Sequence, residues 1–348
     1  MIIKSLLEIP HRRKNILTGE WVLVSPHRTK RPWQGEVYSD KQIRRPEYDA
    51  ECYLCPGNKR ANGDVNPDYK STFVFTNDFS ALIADVKKTE IKKNELLLAK
   101  SEEGICRVVN FSPRHDLTLA EMNEPEIELV IETWQNEFAQ LGLNPKINHV
   151  QIFENKGAMM GNSNPHPHCQ IWAQSSIPME ISKETKNFQK YYSAKKKSLL
   201  ADYLKLEMKL SERIVYQNSA FVVLVPFWAV WPFETMIIPK RKIVNILQLK
   251  EAEKKDFANA LKVITSKYDN MFQTSFPYSS GIHQAPTDGK EHKEWHMHMH
   301  FYPPLLRSAS IKKFMVGYEM MAEPQRDITP EQSAKILKDL PSKHYLSK

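Results

Sequence analysis

One nine-residue segment, Asn164-Pro-His-Pro-His-Cys-Gln-Ile-Trp172, constrains this chain more than any other. Side chains alternate faces along a strand, so His166, His168 and Gln170 share one face and Pro167, Cys169 and Ile171 take the other. Pro165 and Pro167 cannot donate to a ladder, which predicts a strand at a sheet edge or at a sheet mouth, with its imidazoles accessible. Gly157, Gly161 and Ser163 lie just upstream. They predict a loop whose backbone amides can approach a phosphate.

The surroundings of this segment recur. Thr72-Phe-Val-Phe-Thr76 reads as a strand ended by Asn77-Asp78. Asn148 to Glu154 reads as a second strand, with Val150 and Ile152 alternating against polar neighbours. Between them Ile127, Val130, Ile131, Trp134, Phe138 and Leu141 mark one buried face of a helix. In the second half, strands at Phe221–Val225 and Met236–Ile238 precede a helix with Phe257, Leu261, Ile264, Tyr268 and Met271 on one face. A strand at Gly281–Ala285 and a histidine-rich strand at His296–Tyr302 follow. The pattern predicts an α+β fold, mainly antiparallel sheet with flanking helices. It is a single catalytic domain over 1–348, built from two pseudo-repeat halves, roughly 1–195 and 196–348. Packing of the two half-sheets on one another buries a continuous core.

Composition narrows the function. Hydrophobic residues are 41% and charged residues 26% of the chain, with a net charge of +8, which fits a globular protein with anionic partners. No apolar run approaches the roughly 20 residues of a membrane helix, and the opening MIIKSLLEIPHRRKN has too short an apolar stretch for a signal peptide. A cytoplasmic location is expected, with no membrane partner. Lys195, Lys196 and Lys197 read as a solvated helix face, and neither a basic strand interleaved with aromatics nor an arginine-rich tail is present, so no nucleic-acid partner is expected. Cys52 and Cys55 form a C-x-x-C pair, whose spacing suggests metal or redox chemistry; Cys106 and Cys169 stand alone.

Imidazole is a good nucleophile near neutral pH. Attack on an α-phosphorus by His168 gives a phosphoramidate and divides one displacement into two. Gln170 can donate a hydrogen bond to the phosphoryl oxygens without competing as a base. In the second half, His296, His298 and His300 share a strand face, and histidines two apart can reach one ion.

The segment Gly157-Ala-Met-Met-Gly-Asn-Ser-Asn-Pro-His-Pro-His-Cys-Gln-Ile-Trp172 resembles the active-site signature of the galactose-1-phosphate uridylyltransferases, a branch of the histidine triad superfamily. Hydrolases of that superfamily carry a third histidine where this chain has Gln170, and a glutamine marks the transferase branch. The likeness extends through Asn15-Ile-Leu-Thr-Gly-Glu-Trp-Val-Leu-Val-Ser-Pro-His-Arg-Thr-Lys-Arg-Pro-Trp33, Phe75-Thr-Asn-Asp-Phe79, Trp231-Pro-Phe-Glu-Thr235, Phe301-Tyr-Pro-Pro-Leu-Leu-Arg-Ser308 and Lys313-Phe-Met-Val-Gly-Tyr-Glu-Met320.

The resemblance implies ping-pong transfer of UMP from UDP-glucose to galactose 1-phosphate, releasing glucose 1-phosphate and UDP-galactose, through uridylyl-His168. Catalysis then rests on His168, Gln170 and Ser163. Cys52, Cys55, His115 and His166 hold zinc; Glu184, His283, His298 and His300 hold a second metal, iron or zinc; His296 is a bystander. Arg28, Arg31, Asn77 and Asp78 face the nucleotide, and Asn155, Ser163 and Gln170 the phosphoryl group. Lys313, Phe314, Val316, Tyr318, Glu319 and Gln325 contact the sugar and its phosphate. A homodimer shares the site between subunits. Asn162 stands where many members of the family have cysteine, which implies altered contacts with activity retained; Cys169 is read as packing. Two rival readings are an adenylyl transferase or dinucleotide phosphorylase of the same superfamily, and a zinc-braced nucleic-acid-binding protein.

Overall fold

The computed structural model describes residues 6–30, 45–306, 308 and 311–347. Arg31 lies outside the described residues. Most of the chain is organised around a nine-stranded sheet. Its first half comprises β3 (Phe73–Thr76), β6 (Gly104–Asn110), β7 (His149–Lys156) and β8 (His168–Gln174). The other half comprises β9 (Ile214–Gln217), β10 (Phe221–Leu224), β11 (Thr235–Pro239), β12 (Tyr278–His283) and β13 (His298–Tyr302). The spatial order is β3-β6-β8-β7-β12-β13-β11-β10-β9, and every neighbouring pair is antiparallel.

Helix α1 (Glu124–Gly142) and helix α4 (Glu251–Phe272) pack against each other on one face of the sheet. The α1 face is the predicted one: Ile127, Val130, Ile131, Trp134, Phe138 and Leu141 are all buried. Its start is set by Asn123, whose side chain accepts from the Glu126 N–H while the Glu126 carboxylate accepts from the Asn123 N–H, a reciprocal cap. The core beneath joins both halves, from Val150, Ile152, Cys169 and Ile171 to Ile282, Met299 and Phe301. Trp134 donates its indole N–H to Cys169 Sγ at 3.2 Å, so Cys169 is a packing residue on the helix side.

The opposite face is covered only in part. Helices α2 (Met179–Lys195) and α3 (Leu199–Leu210) bury Ile181, Phe188, Leu200 and Leu204 against Val222, Leu224, Met236 and Ile238. Strands β10 and β11, buried on both faces, therefore read as continuous apolar runs. Strand β8 alternates between buried and half-buried. It leaves His168, Gln170 and Trp172 on the more open face.

One expectation changes and another is narrowed to one of its two alternatives. The half-sheets do not pack face to face. They join edge to edge through β7 and β12, with Tyr278 opposite Lys156 and Ile282 opposite Ile152, and the shared core forms under α1 and α4 instead. The histidine strand is also not an edge: β8 lies between β6 and β7. The prolines are tolerated because they precede the strand, and His168 is its first residue, so the histidine stands at the sheet mouth. There the Pro167 carbonyl still accepts from the Phe111 N–H at 2.9 Å.

A smaller sheet holds β1 (His11–Lys14), β2 (Trp21–Val24) and β14 (Gln325–Arg326). It brings the two ends of the chain together, with Gln325 opposite Leu23. Strands β4 (Glu90–Lys93) and β5 (Leu97–Lys100) form a separate exposed hairpin.

Candidate active site and metal centres

The loop from 157 to 167 delivers His168. Gly157 has φ +87° and Gly161 φ +79°, backbone values that glycine adopts without strain. Asn162 Oδ1 then accepts from the Asn164 N–H, and Asn164 Oδ1 from the His166 N–H at 2.9 Å. These successive turns lead from the loop to the two histidines.

His168 is held in one tautomer. Its Nδ1 lies 2.7 Å from the His166 carbonyl oxygen. A carbonyl only accepts, so Nδ1 carries the proton and Nε2 keeps its lone pair. Burial lowers the His168 pKa, which favours the neutral ring. The ring lines a cavity of about 50 Å³ with Asn155, Gly161, Asn162, Ser163 and Gln170. That is room for a few water-sized groups, the scale of a phosphoryl group rather than of a nucleotide sugar.

Two amides on the cavity wall are oriented by their neighbours. Gln170 Oε1 accepts from Trp172 Nε1 at 3.0 Å and from Asn77 Nδ2 at 3.3 Å. Asn155 Oδ1 accepts from Ser279 Oγ at 2.7 Å. With both oxygens engaged, each NH₂ group is available to the cavity, which is the donor end that an anion requires. Asn77 was expected to face the nucleotide. Its Nδ2 holds Gln170 and its Oδ1 accepts from the Phe79 N–H. Sequence reasoning did not assign this role to Asn77, or any role to Trp172 and Ser279. Trp172 was signalled by its period-two spacing from Gln170.

At the sheet mouth Cys52, Cys55, His115 and His166 bring one donor atom each within 4.8 Å of one another, all buried. Cys55 Sγ lies 3.5 Å from His166 Nδ1 and 3.7 Å from His115 Nδ1. Tetrahedral zinc, with Zn–S about 2.3 Å and Zn–N about 2.0 Å, places sulfur and nitrogen donors about 3.5 Å apart. His166 Nε2 lies 2.9 Å from the Ser112 carbonyl oxygen. That bond protonates Nε2 and turns a bare Nδ1 to the sulfurs. Burial holds His166 down to about 3, and burial with the neighbouring Cys52 pushes the Cys55 thiol up to about 12. Neutral histidines beside buried thiols fit a bound cation, which supplies the charge that lets the thiols ionise.

The second group is Glu184 of α2 with His283, His298 and His300, again within 4.8 Å. Glu184 Oε1 lies 2.9 Å from His283 Nδ1, and Oε2 lies 3.5 Å from His298 Nε2. His298 Nδ1 lies 2.9 Å from the His296 carbonyl, the same relation that His168 has to His166. Buried Glu184 Oε2, His298 Nε2 and both nitrogens of His300 lack hydrogen-bond partners among the described residues. Burial opposes the Glu184 charge, yet His283 and His298 hold its pKa well below the ordinary value. Orphaned acceptors around a carboxylate fit a metal ion. His296 turns aside, with Nε2 2.9 Å from the Pro239 carbonyl.

Register gives the distance from the His168 cavity to the Glu184 group. Gln170 lies opposite Phe153, Phe153 opposite Gly281 and Gly281 opposite His300. The row places Gln170 and His300 on one sheet face, three strand spacings or about 14 Å apart.

The expected sugar contacts lie elsewhere in the described chain. Lys313 Nζ pairs with Glu319 Oε1 at 2.6 Å, and Glu319 Oε1 accepts from the Gln325 N–H at 2.9 Å. Gln325 Nε2 donates to Asp327 Oδ1, which also meets Arg28 Nε at 3.1 Å. Phe314, Val316 and Tyr318 are 61%, 59% and 53% exposed. None of these residues lines the His168 cavity.

A histidine–glutamine strand opening on an anion-sized cavity in an α+β sheet is the architecture of a nucleotidyltransferase, and the chain is such an enzyme. It belongs to the galactose-1-phosphate uridylyltransferase family: the family's N-terminal domain matches residues 3–178 and its C-terminal domain residues 184–348. It is 50% identical over 338 residues to the galactose-1-phosphate uridylyltransferase of Haemophilus influenzae, covering 97% of this chain and 96% of that one. A solved uridylyltransferase superposes with a TM-score of 0.75 at 25% identity, over 94% of this chain and 97% of the other. An ADP-glucose phosphorylase from Arabidopsis thaliana, solved with ADP-glucose, shares the fold at a TM-score of 0.73 and 24% identity, over 95% and 99% of the two chains.

Proposed function

We propose that the enzyme moves a uridylyl group from UDP-glucose to galactose 1-phosphate by double displacement at His168. The observation that carries this is the bare Nε2 of a tautomer-locked histidine on the wall of a cavity with two amide donors. His168 Nε2 forms a bond to the α-phosphorus, and the bond to the glucose 1-phosphate oxygen breaks with its electron pair on the departing phosphate. A phosphate oxygen of galactose 1-phosphate then bonds to that phosphorus, the Nε2–P bond breaks with its electron pair returning to His168, and UDP-galactose leaves. The His166 carbonyl stabilises the imidazolium character that develops at Nδ1. Gln170, Asn155 and Ser163 donate to the non-bridging oxygens as charge shifts in the transition state. A glutamine beside the nucleophile cannot deprotonate water, which favours survival of the intermediate until the acceptor arrives.

Cys52, Cys55, His115 and His166 hold zinc in this reading, and Glu184, His283, His298 and His300 hold iron or zinc. Each group has four protein donors, which suits structural ions. Zinc bound there braces the segment carrying His168. Arg28, Arg31, Asp78, Lys313, Phe314, Val316, Tyr318, Glu319 and Gln325 contact the nucleotide and sugar, some of them across a homodimer interface. The exposure of Phe314, Val316 and Tyr318 supports that assignment. Action on these soluble metabolites suits a cytoplasmic enzyme; no helix among the described residues is long and apolar enough to cross a membrane.

Initial rates with both substrates varied test the scheme. Parallel double-reciprocal lines, with UDP-glucose preferred over ADP-glucose by a hundredfold or more in kcat/KM, support it. Intersecting lines, or a preference for ADP-glucose, overturn it.

A further inference from the structure

Arg60 ties the cysteine loop to the nucleotide motif. It sits in a tight hairpin closed by the Lys59–Val65 bridge, with its N–H donating to the Asp64 carbonyl at 2.7 Å and its own carbonyl accepting from the Gly63 N–H at 3.0 Å. Gly63 has φ +97°, as the turn requires. The hairpin base is anchored on the Cys52–Cys55 turn. Asn58 Nδ2 donates to the Cys52 carbonyl at 2.8 Å and Asn66 Nδ2 to the Cys55 carbonyl at 3.0 Å.

From this hairpin the Arg60 side chain reaches β3. Its guanidinium lies 4.4 Å from the centre of the Phe75 ring. Nη2 donates to Asp64 Oδ2 at 2.7 Å, and Nη1 faces Asp78 Oδ1 at 3.4 Å. The side chains of Arg60 and Asp78 are only 10% and 8% exposed, while Asp64 is 64% exposed. Asp78 Oδ1 makes no hydrogen bond among the described residues. Its ion pair with Arg60 is thus a loose one, and a carboxylate with about four acceptor sites has most of them unfilled. A largely buried carboxylate of that kind suits a ligand that brings hydroxyl donors, and Arg60 is the cation that faces it and aims it.

We infer that Arg60 is a positioning residue for donor specificity: it fixes Asp78 to read the ribose hydroxyls of the nucleotide. The inference rests on the proposed function, in which Asp78 meets the nucleotide, and it adds the residue that sets Asp78 in place. Phe75 and Asp64 locate the guanidinium from two sides. Its planar fork serves both carboxylates at once, which a lysine ammonium does not reproduce. His168 and Gln170 are held by other partners, so the chemical step does not depend on Arg60.

The test compares UDP-glucose with its 2′-deoxyribose analogue in wild type, Arg60→Met, Arg60→Lys and Asp78→Asn. The wild type is expected to favour the ribose donor at least tenfold in kcat/KM, the range of one hydrogen bond to a charged acceptor. In Arg60→Met the ratio should fall to within about threefold of unity, by a rise in KM for the ribose donor, with kcat within about threefold of wild type. Arg60→Lys should restore only part of the ratio. Adding Arg60→Met to Asp78→Asn should cost nothing further, since both act through one contact. If Arg60 only stabilises the loop, both donors suffer equally and the ratio stays at its wild-type value; that result overturns the inference and leaves the proposed function standing. A wild type that turns over UDP-glucose without discrimination also overturns it. A wild type with no turnover of UDP-glucose overturns both readings.

Discussion

His168 Nδ1 sits 2.7 Å from the main-chain carbonyl oxygen of His166. One residue thereby offers its backbone to the proposed nucleophile and its ring to the group of Cys52, Cys55 and His115 proposed to hold a metal. In the proposed function, positioning of His168 and binding of the ion are therefore coupled through two residues of chain. Replacing Cys55 with Ala should remove one equivalent of bound metal, leave the Glu184 group loaded and slow turnover about 10–100-fold, the range of lost outer support. Metal analysis beside initial rates checks this. Full metal content with normal turnover would contradict it.

Gln170 is aimed by its carboxamide oxygen, not by its nitrogen. Gln170→Ala should lower kcat by about 10²–10³, as for loss of one transition-state donor. Asn77→Ala leaves one of the two donors to Oε1 in place and should cost about tenfold in kcat. Trp172→Phe, which removes the other donor and keeps the ring, should cost a similar factor. Steady-state kinetics separate these effects from changes in KM.

The Trp231-Pro-Phe-Glu-Thr235 motif encloses a buried acid. Glu234 Oε2 accepts from the Val230 and Trp231 N–H groups at 2.6 and 3.1 Å. Burial nonetheless pushes its carboxyl up from 4.5 to about 7. A group that binds its proton more tightly folded than unfolded stabilises the fold fully below the unfolded pKa. That contribution is lost as pH rises towards the folded pKa. Stability should therefore fall between about pH 4.5 and 7, by up to about 3 kcal/mol from this group. Glu234→Gln should flatten that part of the profile, as read by urea unfolding at several pH values.

Trp134 is 1% exposed and fills the space between α1 and β8. Trp134→Ala should destabilise the protein by about 3–5 kcal/mol. Because Cys169 lies on the far side of the strand from His168, Trp134→Phe should lose stability while largely keeping kcat at 25 °C.

Much of this was legible in the chain. The helical period picked out every buried residue of α1, because a face packed on a sheet leaves a regular trace. Period two placed His168 and Gln170 together for the same reason. Other features leave no local mark. Pro165 and Pro167 suggested a strand at an edge or a mouth, but backbone partners are chosen by distant segments, and β6 pairs with β8 across about 60 residues of intervening chain. Glu184 reaches His283 from helix α2, which lies between β8 and β9 in sequence and 99 residues before its partner; nothing in its own segment marks it as a ligand, and only resemblance to a family suggested it. Ser279 acts on Asn155 from the other half of the chain, and Arg60 meets Asp78 only because a hairpin folds back onto β3, so composition and spacing say nothing about them.

The central claim is that His168 carries the uridylyl group, and trapping that species tests it most directly. Purified enzyme is mixed with UDP-glucose labelled at the α-phosphorus, without acceptor, in parallel with His168→Ala. The account predicts one acid-labile, base-stable label per active site on the wild type, none on the variant, and complete discharge by galactose 1-phosphate with formation of UDP-galactose. No label on folded, metal-loaded wild type, or equal label on His168→Ala, would contradict it.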